Sequence, residues 1–379
     1  MNIVIKSLSV SAVTFICLQV GLPALTAASK RVVASTQAVS KALPLIMKSA
    51  EDYVEQKSCF TCHHQSLPVT AVVRAKSIGF EVDRKWLETQ RKFTADFFLS
   101  RRKELSKGKG VPGGAFTAGY ALAQFISTSH ATAVEDVNQV PRLPGTDELL
   151  EYLLQIYNPE RPWKINTIRP PLESSDFTAT GLAVAALGTY EPEQLMQRMK
   201  EIRQWYGQTQ AKTTEDRAFQ AMGWYWLIHS EYAFHAQRSL PTEERNRPGE
   251  VQMPDTQADA ERMMEFIAGL RDRQREDGGW GQTDQMESDA YATGLVLTSL
   301  LMVKPSIYRE KWVEKGVQYL IKNQESDGSW LVNTRSKPIQ EYFESGFPHG
   351  EDQFISIAAS CWSVIALSQF VEYHEVEDN

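Results

Sequence analysis

Residues 266–282 read FIAGLRDRQREDGGWGQ, and residues 319–333 read YLIKNQESDGSWLVN. Each stretch begins as an apolar helix end and passes into Gln-x-x-x-Gly-x-Trp. Gln274, Gly278 and Trp280 therefore recur as Gln324, Gly328 and Trp330, a shift of 50 residues. A period of that size is the signature of stacked helix pairs. Each copy is followed by a polar cluster and then a run rich in small residues, ESDAYATGLVLTSLL (287–301) and EDQFISIAASCWSVIAL (351–367).

Weaker copies extend toward the N-terminus. DELLEYLLQIY (147–157) precedes ESSDFTATGLAVAAL (173–187), and LMQRMKEIRQWYG (195–207) precedes TTEDRAFQAMGWYWLIH (213–229). RKWLETQRKFTADFFLSRR precedes GGAFTAGYALAQFI, and LIMKSAEDYVEQ precedes SLPVTAVVRAKSIG. The first helix of each pair carries charge on one face, as a solvent-facing helix does. The second is apolar nearly all round and dense in Ala, Gly, Ser and Thr, which suits burial against close neighbours. About six such pairs, with no strand signal, predict an all-α fold: an α/α toroid of outer and inner helices, with an open solenoid as the alternative.

The Gln-x-x-x-Gly-x-Trp loops and the D-x-x-A-T-G-L starts of inner helices resemble the repeat of the squalene–hopene cyclase and protein prenyltransferase superfamily, a terpenoid cyclase-like toroid. The resemblance is clearest over residues 147–371. It implies that the Gln caps a helix end, that the Trp ties adjacent pairs together, and that the barrel holds an isoprenoid or other apolar ligand. The catalytic sets implied by the resemblance are incomplete. The cyclases' Asp-x-Asp-Asp acid is reduced here to Glu173-Ser-Ser-Asp176, and no cysteine follows Asp289 where a prenyltransferase would place its zinc thiolate. Squalene cyclisation is accordingly expected to be absent or very low.

Parallel inner helices bring their N-termini to one mouth. His64 and Gln65, Glu173 and Asp176, Glu215 and Asp216, Glu287 and Asp289, and His349, Glu351 and Asp352 stand at those starts. Taken singly, such residues are helix caps and first-turn acids. Taken together they form a candidate acid/base or cation site, with Asp176, Asp289 and His349 favoured as its catalytic members and expected to share one cavity. The aromatics Trp224, Tyr225, Trp226, Tyr232 and Phe234 read as core at helical spacing, or as rings lining the lumen.

SCFTCHHQ (58–65) contains Cys-x-x-Cys-His. Covalent haem c requires two thiols and a following histidine, which Cys59, Cys62 and His63 supply in order. A Cys59–Cys62 disulfide and a zinc site completed by a histidine such as His64 are the alternatives. Cys361 lies in an apolar run and reads as a buried small side chain.

The chain has 379 residues, 42% of them hydrophobic, and a net charge of −7. No long basic run with interleaved aromatics is present, so nucleic acid is not an expected partner. Lys6, the apolar run 10–22 and the small residues after Pro23 read as a signal peptide over 1–28, with a membrane anchor as the alternative. No other segment reads as a membrane span. The expectation is a periplasmic or secreted protein whose residues 29–379 form a single toroid domain, with peripheral membrane contact a further option. A haem c electron-transfer protein, a secreted polysaccharide-active enzyme and a non-catalytic binding module are the rival functions.

Overall fold

A computed structural model describes residues 27–132, 140–239, 257–338 and 341–378. The stretch expected to be a signal peptide lies almost wholly outside the described residues. Among those residues there is no strand, only two isolated bridges.

The helices alternate between outer and inner layers. The long outer α1 (Ala27–Gln56) is followed by a π-helical turn at Cys62–Ser66, which runs into inner α2 (Leu67–Lys76). Outer α3 (Arg84–Leu99) and the single-turn α4 (Arg102–Leu105) lead to inner α5 (Ala115–Thr132). Outer α6 (Thr146–Gln155) leads to inner α7 (Asp176–Tyr190), and the short α8 (Pro192–Met196) with outer α9 (Met199–Gln208) to inner α10 (Thr214–Ser239). Outer α11 (Gln257–Arg271) and inner α12 (Ala290–Val303) form the fifth pair, α13 (Lys311–Lys322) and α14 (Gln353–Asp378) the sixth. Each inner helix packs on the next, and α14 returns to α2, so the ring closes. This is the α/α toroid; the solenoid is excluded.

The two repeat loops close the outer layer by one device. Gln274 Nε2 donates to Gly278 O at 2.8 Å and to Trp312 O on the next outer helix at 2.7 Å. Gln324 Nε2 donates to Gly328 O at 2.9 Å and to Ala38 O on α1 at 2.8 Å, joining the last pair to the first. Trp280 and Trp330 are fully buried, and each indole donates 2.8 Å to a carbonyl ten residues earlier, Leu270 O and Leu320 O, capping its own outer helix. Gly278 and Gly328 take φ of 90° and 97°, a region only glycine enters at little cost. A Cβ there would also lie 2.6 Å from Lys315 O or 2.5 Å from Lys41 O.

A third copy escapes sequence comparison. Trp163 is buried and donates to Leu153 O, again ten residues back, at 2.9 Å. Tyr157 and Arg161 occupy its Gln and Gly positions, which hides the repeat.

Small residues set the inner spacing. A Cβ on Gly294 would lie 2.8 Å from Ser363 N of α14, and one on Gly119 would lie 2.6 Å from Leu182 Cβ of α7. Bulk at either position would force the inner ring apart. The expectation of no further membrane-length segment needs correction. Gly350–Glu375 is long and apolar enough, with a mean hydropathy of 1.8, but 94% of its apolar window is buried as an inner helix of the barrel.

Candidate functional site

The first turns of three inner helices meet at the mouth. Thr178 of α7 donates to Glu215 Oε1 of α10 at 2.8 Å, and Tyr291 of α12 donates to Oε2 at 2.7 Å. Parallel inner helices with their N-termini in register produce this contact. Glu215 is 3% exposed. Burial pushes its carboxyl up to about 8, opposed by the hydrogen bonds from Tyr291 and Thr178 and reinforced by the neighbouring Asp216. At neutral pH it is therefore mostly protonated. Its O–H can then point into the cleft, or donate to one of the two hydroxyls, which can accept as well as donate.

Glu215 and Tyr291 line a narrow cleft with Ser174, Thr214, Gln282 and Arg335, with room for about one water molecule. Arg335 is carried by the segment after Trp330, which crosses the mouth. Its Nε donates 2.6 Å to Gln282 Oε1, Ser336 Oγ donates to Pro170 O on the opposite rim, and Thr334 N donates 2.6 Å to Asp352 Oδ1.

Asp289 stands behind Gln282. It caps α12, accepting from Ala292 N at 2.8 Å, and lies in the field of Arg335. Burial raises its carboxyl to about 6, against hydrogen bonds from Ala292, Gln282 and Tyr291. Between about pH 6 and 8 the two carboxyls therefore carry opposite protonation states.

The other two favoured residues do not join this site, and none of the three lines the cleft. Asp176 accepts from Ile165 N at 2.8 Å and pairs with Arg161, so it anchors the loop before its own helix. His349 has φ 86°, and its Nε2 lies 2.7 Å from Ser329 Oγ, tying together the long loop between α13 and α14. The capping and loop-closing role took both side chains. Glu215, one acid among many in the sequence, is the residue the cleft selects; its only sequence signal is its place one residue into an inner helix.

The aromatic run is core where its partners are defined. Trp224 faces Tyr206 and Phe266 of the outer layer, and Arg203 stacks on it at 5.3 Å. The rings that meet across the lumen are Phe219 and Trp362, at 6.3 Å.

The Cys-x-x-Cys-His segment forms the start of inner α2. Thr61 caps it, accepting from His64 N, and Gln65 Oε1 accepts from Thr61 N at 2.8 Å. Cys59, Cys62 and Cys361 are unbridged thiols. Cys59 Sγ lies 3.2 Å from the Tyr53 hydroxyl, and Cys62 is buried, its thiol pushed well above the usual range by desolvation. His63 and His64 face each other through Nδ1, one donating to the other, and both rings pack on Phe354, while His64 also stacks on Tyr53 at 4.9 Å. Among the described residues, no group of three or more His, Cys, Asp or Glu side chains is arranged to hold a metal.

Burial holds both histidines neutral, His63 down to about 3 with help from Arg169, and His64 well below its ordinary value with help from His63. A folded pKa below the unfolded value of 6.5 gives stability that is present above pH 6.5 and lost as pH falls toward 3. A urea titration series from pH 7 to 4 should show this loss, and His64→Phe should lose less than the native chain over the same range.

No protein-family model matches the sequence, and no curated relative matches it. Solved structures do resemble the fold. A possible member of the GH105 family from Salmonella enterica serovar Paratyphi A superposes with a TM-score of 0.51 at 14% identity, over 89% of this chain and 95% of that one. A possible GH105 member from Klebsiella pneumoniae gives 0.51 at 12% identity, over 88% and 94%. A type II terpene cyclase from Scytonema, in complex with merosterolic acid A, gives 0.49 at 12% identity, over 90% and 99%. The first two share the α/α toroid fold with this chain.

Proposed function

We propose that the mouth is a general acid–base site acting on a glycosidic or similarly polar substrate, with Glu215 as the acid. The observation that carries this reading is a buried, mostly protonated carboxyl lining a cleft, in the field of the same Arg335 guanidinium that acts on Asp289, a carboxyl ionised at the same pH. Environments that push two titratable groups apart assign an acid and a base. Glu215 would donate its proton to the departing oxygen. Tyr291 and Thr178 would hold the carboxylate left behind, and Asp289, which reaches the cleft only once Gln282 and the Arg335 segment in front of it have moved, would take the proton from an attacking water. The Arg335 segment has to move for anything larger than water to enter.

The test is release of reducing ends from a panel of neutral and acidic polysaccharides. The native chain should release them with a bell-shaped pH profile whose limbs fall near 6 and 8. No release from any member, or a profile flat across that range, would count against the reading.

A second reading is favoured by the Phe219–Trp362 pair below the mouth: an apolar ligand such as an isoprenoid held deeper in the barrel, against aromatic faces. Binding of a prenylated alcohol that quenches Trp362 fluorescence, and is lost in Trp362→Leu, would support it over the first.

For the Cys-x-x-Cys-His segment we propose a structural role. Cys59, Cys62 and His63 are engaged by Tyr53, by the core and by His64 with Phe354, where a macrocycle would need an apolar slot. Purified exported protein should show no Soret band; a band surviving acid–acetone extraction would restore haem c. The placing of 29–379 as one exported domain is likewise our proposal.

A further inference from the structure

Beside the mouth, the chain reverses its charge. Residues 101–109, between α3 and α5, carry Arg101, Arg102, Lys103, Lys107 and Lys109 against Glu104 alone, in a protein of net charge −7. Arg102, Lys103, Lys107 and Lys109 are exposed, and none forms an ion pair among the described residues. Lys164 on the adjoining rim loop is exposed and unpaired in the same sense. Arg101 differs: its guanidinium stacks on Phe97 at 3.8 Å and donates to Phe97 O and Ser100 Oγ, so it stiffens the base of the segment.

The segment walls a groove that Arg101 and Lys109 line with Ser100, Glu104, Gly110 and Val111. The groove leads to the mouth through a run of close approaches. Gly113 and Gly114 follow directly, and a Cβ on them would lie 2.8 Å from Glu173 Oε1 and 3.1 Å from Asn166 Nδ2. The loop that carries Asn166 and Glu173 continues to Pro171 and Ser174, which line the Glu215 cleft. The loop after α13 has the opposite balance, with Glu325, Asp327, Glu341, Glu344, Glu351 and Asp352 against Arg335 and Lys337.

We infer that the Arg101–Lys109 segment binds a polyanionic polysaccharide and leads it along this groove to the mouth. The inference rests on the acid–base reading only for the direction of the chain, since docking needs no turnover. A cluster of solvated cations on the segment that walls a groove attracts a chain of repeated negative charges at long range and loses that attraction as salt screens it. An anionic bilayer fits less well. The segment's one apolar residue, Leu105, is 1% exposed, so nothing is available to enter the acyl region. Nucleic acid fits less well too, because no exposed aromatic ring offers a stacking platform there.

The test is binding by full-length Glu215→Gln protein, so that a failure of catalysis cannot mask docking. The probes are alginate for carboxylates, heparin for sulfates, neutral dextran, single-stranded DNA and phosphatidylglycerol vesicles. Alginate or heparin should bind at low salt, and binding should weaken at least tenfold on raising salt to 0.3 M. The triple variant Lys103→Glu, Lys107→Glu, Lys109→Glu should bind at least tenfold more weakly, with an unchanged melting temperature because all three side chains are exposed. Lys41→Glu, an exposed lysine on α1, should bind as the parent does. Equal binding of dextran, tighter binding to vesicles or DNA, no polysaccharide binding, or an unaffected triple variant would overturn the inference.

Discussion

Replacing Trp330 by Ala is expected to cost about 3–5 kcal/mol of folding stability. The indole is fully buried, so truncation leaves a cavity that the surrounding helices cannot collapse to fill. It also strips the donor from Leu320 O, leaving a buried helix-end carbonyl without its cap, which adds to the cost. The site matters beyond its own pair. Gln324 and Gly328 of the same loop hold α1 through Ala38 O and Lys41, so this loop is the seam where the last repeat meets the first. Urea unfolding followed by circular dichroism measures the loss. A cost below about 1 kcal/mol would mean that the seam does not depend on the repeat loop. Trp163→Ala should behave like Trp330→Ala if the hidden third copy does the same job, since its indole makes the corresponding bond.

Glu215→Gln is expected to lower kcat by at least about 100-fold, the typical contribution of a positioned general acid. The amide keeps the volume and an acceptor for Tyr291 or Thr178, so the barrel should stay folded. It also moves the pH dependence of stability in a defined direction. A carboxyl whose folded pKa of about 8 exceeds its ordinary value of 4.5 gives stability that is full below pH 4.5 and is lost as pH rises through 8. The native chain should therefore lose on the order of 4 kcal/mol between pH 5 and 9 through this group. The Gln variant should lack that loss, and should be relatively more stable at pH 9. Reduced activity with an unchanged stability profile would place Glu215 in chemistry but not in a buried, neutral state. The converse would make it a structural carboxyl alone.

The fold was legible because its repeat has side chains with fixed jobs. A Gln that must reach the next helix, a Gly that must take positive φ and a Trp that must cap its own helix cannot be exchanged freely, so two copies stayed recognisable at a constant spacing. Trp163 shows the limit of that signal: the indole kept its bond, while Tyr157 and Arg161 replaced the two residues that would have marked it. The small inner-helix residues were legible for a similar reason, since Gly294 and Gly119 stand where backbones and Cβ atoms nearly touch.

Of the proposed site, only its place in the fold was legible. The rule that inner-helix starts gather at one mouth pointed to the end of the barrel where the Glu215 cleft lies, and to Asp289, which stands behind that cleft rather than in it. It could not separate a carboxyl aimed inward from one that caps its own helix, because both stand within one turn of the same position. Asp176 and His349 turned to nearby loop partners that sequence spacing does not reveal. Glu215 is set apart by burial against Thr178 and Tyr291, each from a different inner helix, a three-body contact that appears only when the ring closes. The Arg335 crossing was invisible for the same reason, since it joins segments more than 160 residues apart, Ser336 and Pro170.

The protonation state of Glu215 tests the central claim most directly. Glutamate carboxyls labelled with carbon-13 can be titrated by NMR in the native chain, and the Glu215 resonance assigned by its absence in Glu215→Gln. The account predicts that this carboxyl titrates near 8, so that it holds its proton through neutral pH. A midpoint near the ordinary 4.5 would show an ionised carboxylate at the mouth, and the assignment of Glu215 as the acid would be contradicted.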